Sequence, residues 1–77
     1  MKKINYIDLF SGAGGMTLGF DRAGFNNVFS VEFSKAFADT YTKNFPKHKL
    51  LVEDIRKISN DDALRAANGK TVDLIIG

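Results

Sequence analysis

Ile4-Asn5-Tyr6-Ile7-Asp8-Leu9-Phe10 runs directly into Ser11-Gly12-Ala13-Gly14-Gly15, and this junction decides the fold. The first seven residues are β-prone and apolar in character on both faces, the pattern of a strand buried in a parallel sheet. The next five are small, and no β-branched residue interrupts the turn they make. Met16 to Ala23 then reads as a short helix, with Gly24 as its left-handed terminator.

Outward from this unit the alternation repeats. Asn27 to Glu32 is a second strand, and Ser34 caps a helix through Asn44 whose Phe37, Tyr41 and Phe45 share one face. Pro46 ends that helix. Leu50 to Val52 is a brief third strand closed by Glu53-Asp54. Ser59 or Asn60 opens a third helix with Asp61 and Asp62 in its first turn and Gly69 at its end. Thr71 to Ile76 is a fourth strand, apolar except for Asp73. Strands and helices alternating over short connections imply right-handed crossovers, hence an α/β fold. The preferred arrangement is a Rossmann-like parallel sheet of order 3-2-1-4 with flanking helices, half of a doubly wound fold. A last strand with nothing downstream to cover it reads as an interrupted domain at Gly77.

Composition sets the bounds. The chain has 77 residues, 44% hydrophobic, with seven Phe, which argues for a folded unit over disorder. It contains no Cys, and so has no disulfide, Cys-based zinc site or thiol nucleophile. Eleven Lys plus Arg against nine Asp plus Glu fall short of the clustered basic face of a self-sufficient nucleic-acid binder. Lys43, Lys47 and Lys49, around Phe45 and His48, read as a solvated helix end and loop. There is no apolar run long enough to span a bilayer. Lys2 and Lys3 precede a stretch that breaks at Asp8, which is no signal peptide. A cytoplasmic protein without membrane or metal partners is the expectation.

Three polar features fall at the carboxyl ends of strands, where open parallel sheets bind ligands. The glycine turn lets backbone approach a ligand and offers helix-end N–H groups. Glu32 ends the second strand twenty residues after Gly12, where an acid meets the hydroxyls of an adenosine ribose. Asp54 follows the third strand, where a carboxylate accepts from the adenine amine. Phe33 and Ile55 are their apolar neighbours, suited to flank a flat base. Taken singly, each has a plainer reading: tight packing for the turn, a helix cap for Glu32, an exposed turn for Asp54, core for Phe33. Their conjunction points to an adenosine-containing ligand. The dinucleotide fingerprint would put a third glycine at position 17, where Thr17 stands. That weakens a pyrophosphate site, and a cofactor with a zwitterionic amino-acid end, such as S-adenosylmethionine, fits the loop and Asp8 as well.

Asp8-Leu9-Phe10-Ser11-Gly12-Ala13-Gly14-Gly15, continuing through Met16, Leu18, Gly19 and Phe20, closely resembles the first motif of the cytosine-C5 DNA methyltransferases. The resemblance runs from Ile4 to Gly77. It implies that Phe10, Ser11, Gly12, Ala13, Gly14 and Gly15 serve the methionine and ribose side of S-adenosylmethionine. It also implies that Glu32 binds the ribose, that Phe33 lies against adenine, and that Asp54 and Ile55 meet the adenine amine and ring. Asp73 to Gly77 resembles the strand before the catalytic loop.

In that family a Pro-Cys pair follows soon after and supplies the nucleophile, a thiolate that adds to C6 of a flipped-out cytosine so that C5 takes the methyl group. The chain is therefore expected to be the N-terminal part of the cofactor-binding catalytic domain. It should be inactive alone and weak in cofactor binding, and it should belong to an enzyme acting on double-stranded DNA in a restriction-modification system. Its sheet would be completed by its own C-terminal remainder or by a second chain. A non-catalytic subunit of a split methyltransferase and a dinucleotide-binding oxidoreductase half are the alternatives.

Overall fold

The computed structural model describes residues 3–77; Met1 and Lys2, and with Lys2 part of the N-terminal charge reading, lie outside them. Four strands form one parallel sheet in the order β3-β2-β1-β4, as the alternation predicts. They are β1 (Asn5–Asp8), β2 (Asn26–Glu32), β3 (Leu50–Val52) and β4 (Leu74–Ile76). The helices are α1 (Gly15–Arg22), α2 (Lys35–Asn44) and α3 (Asn60–Ala67), with a single 3₁₀ turn at Ile55–Lys57.

Strand alternation divides the sheet into two faces. Ile7, Phe29 and Val31 point to one side and pack with Ala66 of α3, joined by the half-buried Leu9, Leu51, Ile58, Ala63 and Ala67. Tyr6, Asp8 and Ser30 point to the other, toward α1 and α2, and are fully buried. There the contacts are polar. Thr17 Oγ1 of α1 donates to Asp8 at 2.8 Å, Tyr6 Oη donates to Asp21 at 2.9 Å, and Ser30 Oγ and Tyr41 Oη share a 2.8 Å bond. His48 extends the chain, with Nδ1 3.0 Å from Tyr41 Oη and Nε2 2.9 Å from Asp21. Burial pushes both phenols upward, so each remains a donor at neutral pH.

The register of β1 on β2 slips by one between Tyr6 and Ile7, leaving Val28 without a partner in β1. Beyond the slip Asp8 lies opposite Ser30, and β3 brings Val52 opposite Glu32. The carboxyl ends of β1, β2 and β3 are thereby gathered at one end of the sheet.

Several boundaries differ from expectation. The first strand stops at Asp8, although Leu9 N–H still donates to Ile76 O at 2.9 Å. The fourth is confined to Leu74–Ile76, because Asn5 competes for the preceding residues. Its side-chain amide donates to Thr71 O and its backbone N–H to the Asp73 carboxylate. Gly69 is left-handed after α3 as read, with φ of 79°, and the C-cap residue Asn68 ahead of it is left-handed too, with φ of 50°. Its short amide side chain tolerates that conformation. Phe37 does not join Tyr41 in the core, since α2 buries Ala38 and Tyr41 and leaves Phe37 exposed. His48 and Lys49 are not simply solvated: Lys49 Nζ donates to Ala66 O at the end of α3. Ser34 and Ser59 cap α2 and α3 as read, Ser59 in a reciprocal box with Asp62.

Candidate functional site

The loop between β1 and α1 is held by backbone contacts that its small residues permit. Ser11 N–H donates to Val31 O, and Gly14 N–H donates to Ser11 O, closing a tight turn. Gly12 has φ of +56°, with open space where a side chain would stand. Gly14 has φ of +102°, and a Cβ there would run into the rings of Phe45 and Tyr41. Gly14 is thus fixed by backbone conformation and helix packing together, Gly12 by backbone conformation alone.

Beneath the loop sits Asp8, which burial pushes above the ordinary carboxyl value. It accepts from Thr17 Oγ1 and, at 3.3 Å, from Phe10 N–H. Asp8 therefore shapes the loop from below and is covered from solvent. Thr17, the residue that breaks the dinucleotide fingerprint, supplies Asp8's only side-chain donor among the described residues. A glycine there would strip a buried carboxylate of its partner.

Glu32 joins the loop to the second βα connection. Its Oε1 accepts from Gly12 N–H and its Oε2 from Ser34 N–H, both at 2.7 Å. Both plain roles, turn packing and helix capping, are real. Each oxygen still keeps acceptor capacity, because a carboxylate offers about four lone-pair directions.

Phe10, Phe33, Asp54 and Ile55 come together around one cleft of about 360 Å³ at the carboxyl ends of the strands, within the range of small-molecule sites. Leu9, Val31, Glu53 and Arg56 complete its lining. Phe10 is 64% exposed and Phe33 71%, so two large rings face solvent across a concave site. Asp54 is held down to about 2, chiefly by the Arg56 guanidinium and then by Arg56 N–H. It is an ionised acceptor throughout the neutral range.

Not every expected residue faces that cleft. Ala13, Gly14 and Gly15 line a separate groove with Leu18, Asn44 and Phe45, and Ser11 is buried. The first turn of α1 carries no side-chain cap and no acid, leaving backbone N–H groups open to an anion. A larger groove of about 530 Å³ runs along the edge of β3 against α3. It gathers none of these features. Arg56 was missed from sequence because its role depends on the 3₁₀ turn; the only signal was an arginine two residues after the candidate acid. An apolar cleft with carboxylates in its lining offers ring contact and hydrogen-bond acceptance to a small ligand.

No group of three or more His, Cys, Asp or Glu that could hold a metal occurs among the described residues, and none of their helices is long and apolar enough to cross a membrane.

Residues 4–77 match the family described as C-5 cytosine-specific DNA methylase. The chain is 53% identical over 74 residues to the type II methyltransferase M1.HphI of Haemophilus parahaemolyticus, covering 96% of this chain and 20% of that protein. It is 48% identical over 56 residues to M.FnuDI of Fusobacterium nucleatum, covering 73% of this chain and 16% of that one. The chain thus spans a fifth or less of these relatives. In three dimensions it superposes on a prophage-encoded E. coli protein described as a DNA modification methyltransferase. The TM-score is 0.88 at 36% identity, covering 97% of this chain and 22% of that one. Spodoptera frugiperda DNMT2 aligns with a TM-score of 0.76 at 27% identity, covering 95% of this chain and 22% of that one.

Proposed function

This chain belongs to the C-5 cytosine-specific DNA methylase family, and we propose that it forms the N-terminal, S-adenosylmethionine-holding part of an enzyme that methylates C5 of a flipped-out cytosine in a specific sequence of double-stranded DNA. The observation that carries the reading is the single cleft lined by Phe10, Phe33, Asp54 and Ile55, with Glu32 gripping the adjoining loop.

The residues fit the cofactor. Phe33 and Ile55 would flank adenine, Asp54 would accept from its amine, and the free lone pairs of Glu32 would accept from the ribose hydroxyls. Phe10, Ser11, Gly12, Ala13, Gly14 and Gly15 would serve its methionine and ribose side, where the uncapped N–H groups of α1 suit a carboxylate. When bound, the cofactor supplies an electrophilic methyl group on a sulfonium. These residues orient that donor and keep water from the adenine slot; they make no bond themselves. The chain has no cysteine, so the thiolate that adds to cytosine C6 is supplied from outside these 77 residues. The type II relatives support a place in a restriction-modification system.

Calorimetric titration with S-adenosylhomocysteine and with NADH tests the assignment. Saturable binding of the first and none of the second is expected, with Phe33→Ala weakening the first about tenfold through lost ring contact. Binding of NADH alone would replace this reading with a dinucleotide site.

A further inference from the structure

We infer that the free edge of β3 is a self-association surface, on which a second copy of this chain pairs antiparallel through Leu50-Leu51-Val52 about a two-fold axis at Leu51. The inference stands apart from the cofactor assignment.

β3 is an outer strand of the described sheet, bonded to β2 alone. Which groups it turns outward follows from the ladder. Lys49 O accepts from Ser30 N–H at 2.9 Å and Glu53 N–H donates to Glu32 O at 3.1 Å, so the odd-numbered residues face β2. The N–H and C=O groups of Leu50 and Val52 therefore point away from it, and no backbone partner meets them among the described residues. Such an edge is a template for another strand.

The same alternation orders the side chains. Leu51 lies beside Val31 in the register and packs with the core on the α3 face, so Lys49 and Glu53 flank it on that face. Lys49-Leu50-Leu51-Val52-Glu53 is thereby self-complementary, as an isologous contact requires. With Leu51 opposite the partner's Leu51, each Leu50 stands opposite a Val52 and each Lys49 opposite a Glu53. Antiparallel pairs alternate between hydrogen-bonded and non-bonded positions. In this register the two Leu50–Val52 pairs use every outward group, and the leucines meet at the closer, non-bonded position.

A lysine on an edge ordinarily deters pairing. Here Glu53 answers it only when the strands run antiparallel, because an in-register parallel pair would set Lys49 against Lys49. Lys49 Nζ spends one of its three donors on Ala66 O, and Glu53 Oε1 accepts from Asp54 N–H, so both keep capacity for the cross-strand pair. The groove of about 530 Å³ between β3 and α3, with Leu51, Ile58 and Ala66 in its lining, receives the partner's Leu51. Three-residue strands make a short interface, and the dimer is accordingly weak and dependent on concentration.

The test is sedimentation equilibrium of wild type, Lys49→Glu, Glu53→Lys and Val52→Pro, each first checked for native helix content by circular dichroism. Wild type should pass from monomer near ~10 µM to dimer near ~1 mM, the range of a small interface. Either charge reversal alone should weaken association about tenfold, because like charges then meet twice across the axis. An equimolar mixture of the two should associate again, since each variant carries one sign at both positions and the mixture pairs opposite signs. Val52→Pro removes an outward donor, leaves the β2 ladder intact and should abolish the dimer. Where Lys49→Glu loses helix content, Glu53→Lys and Val52→Pro carry the test. A wild type that stays monomeric at the upper concentration, dimers indifferent to charge reversal, or no recovery in the mixture of folded variants would overturn the inference. So would assembly that survives Val52→Pro, which would put the contact elsewhere, such as on the outer edge of β4.

Discussion

On the α1–α2 face of the sheet, Tyr6, Asp8 and Ser30 meet their helices through hydrogen bonds to Asp21, Thr17 and Tyr41; on the α3 face, Ile7, Phe29 and Val31 meet small apolar side chains. The difference has a physical meaning. A fully buried polar pair has one acceptable geometry, because a slip leaves a donor or acceptor unmade. Apolar contacts tolerate small shifts at modest cost. The first face therefore fixes where the glycine loop and α1 stand relative to β1. The second supplies burial with less geometric demand, and Leu64 and Ile75 remain exposed on it.

The largest expected effect on the demanding face comes from Gly14→Ala. Its positive φ and the Phe45 ring should together cost about 3 kcal/mol, read as a lower urea midpoint. Gly15→Ala is the internal control: it adds a Cβ into open space in a helix and should be mildly stabilising. Equal losses at both positions would mean that loop conformation, not contact with α2, sets the demand.

A pH series separates the faces by sign. Burial raises Asp8 in the folded state, so between the unfolded value of about 3.9 and its folded value the native chain binds more protons than the unfolded one. Its contribution is fully present below the unfolded value and is lost as pH rises through the folded one. Asp62, on α3, is lowered first by its hydrogen bond with the Ser59 backbone, so its contribution is present above the unfolded value and lost as pH falls. Urea midpoints across acid pH should show Asp8→Asn removing a gain on acidification and Asp62→Asn removing a loss. Shifts of the same sign would erase the contrast.

The smallest effect sharpens the comparison from the other side. Leu64 is 69% exposed, and Leu64→Ala should change stability by less than about 0.5 kcal/mol. A cost several times larger would mean that the α3 face is packed in solution.

Most of the frame was legible because its signals are local. Glycine and proline punctuation, serine caps and apolar runs act over a few residues, and they placed every helix and the order of the strands. The errors fell where a side chain displaced a backbone pattern. Asn5 shortened the fourth strand, Asn68 joined Gly69 in the left-handed end of α3, and Asp54 with Arg56 made a turn where none was read. Of the candidate site, Phe10, Phe33, Asp54 and Ile55 do share a cleft, while Ala13, Gly14 and Gly15 line another groove.

By itself, then, the sequence determined the alternation of strands and helices, the glycine turn after the first strand, and the placing of Glu32 and Asp54 at strand ends. These follow from residue type and short spacing. The tertiary structure alone decided that Glu32 spans Gly12 and Ser34, that Gly14 abuts Phe45, that Thr17 answers a buried Asp8, and that Arg56 holds Asp54. Each of these depends on which groups the crossovers bring within hydrogen-bond or van der Waals reach, and on a carboxylate in a crowded interior taking whichever donor packing presents.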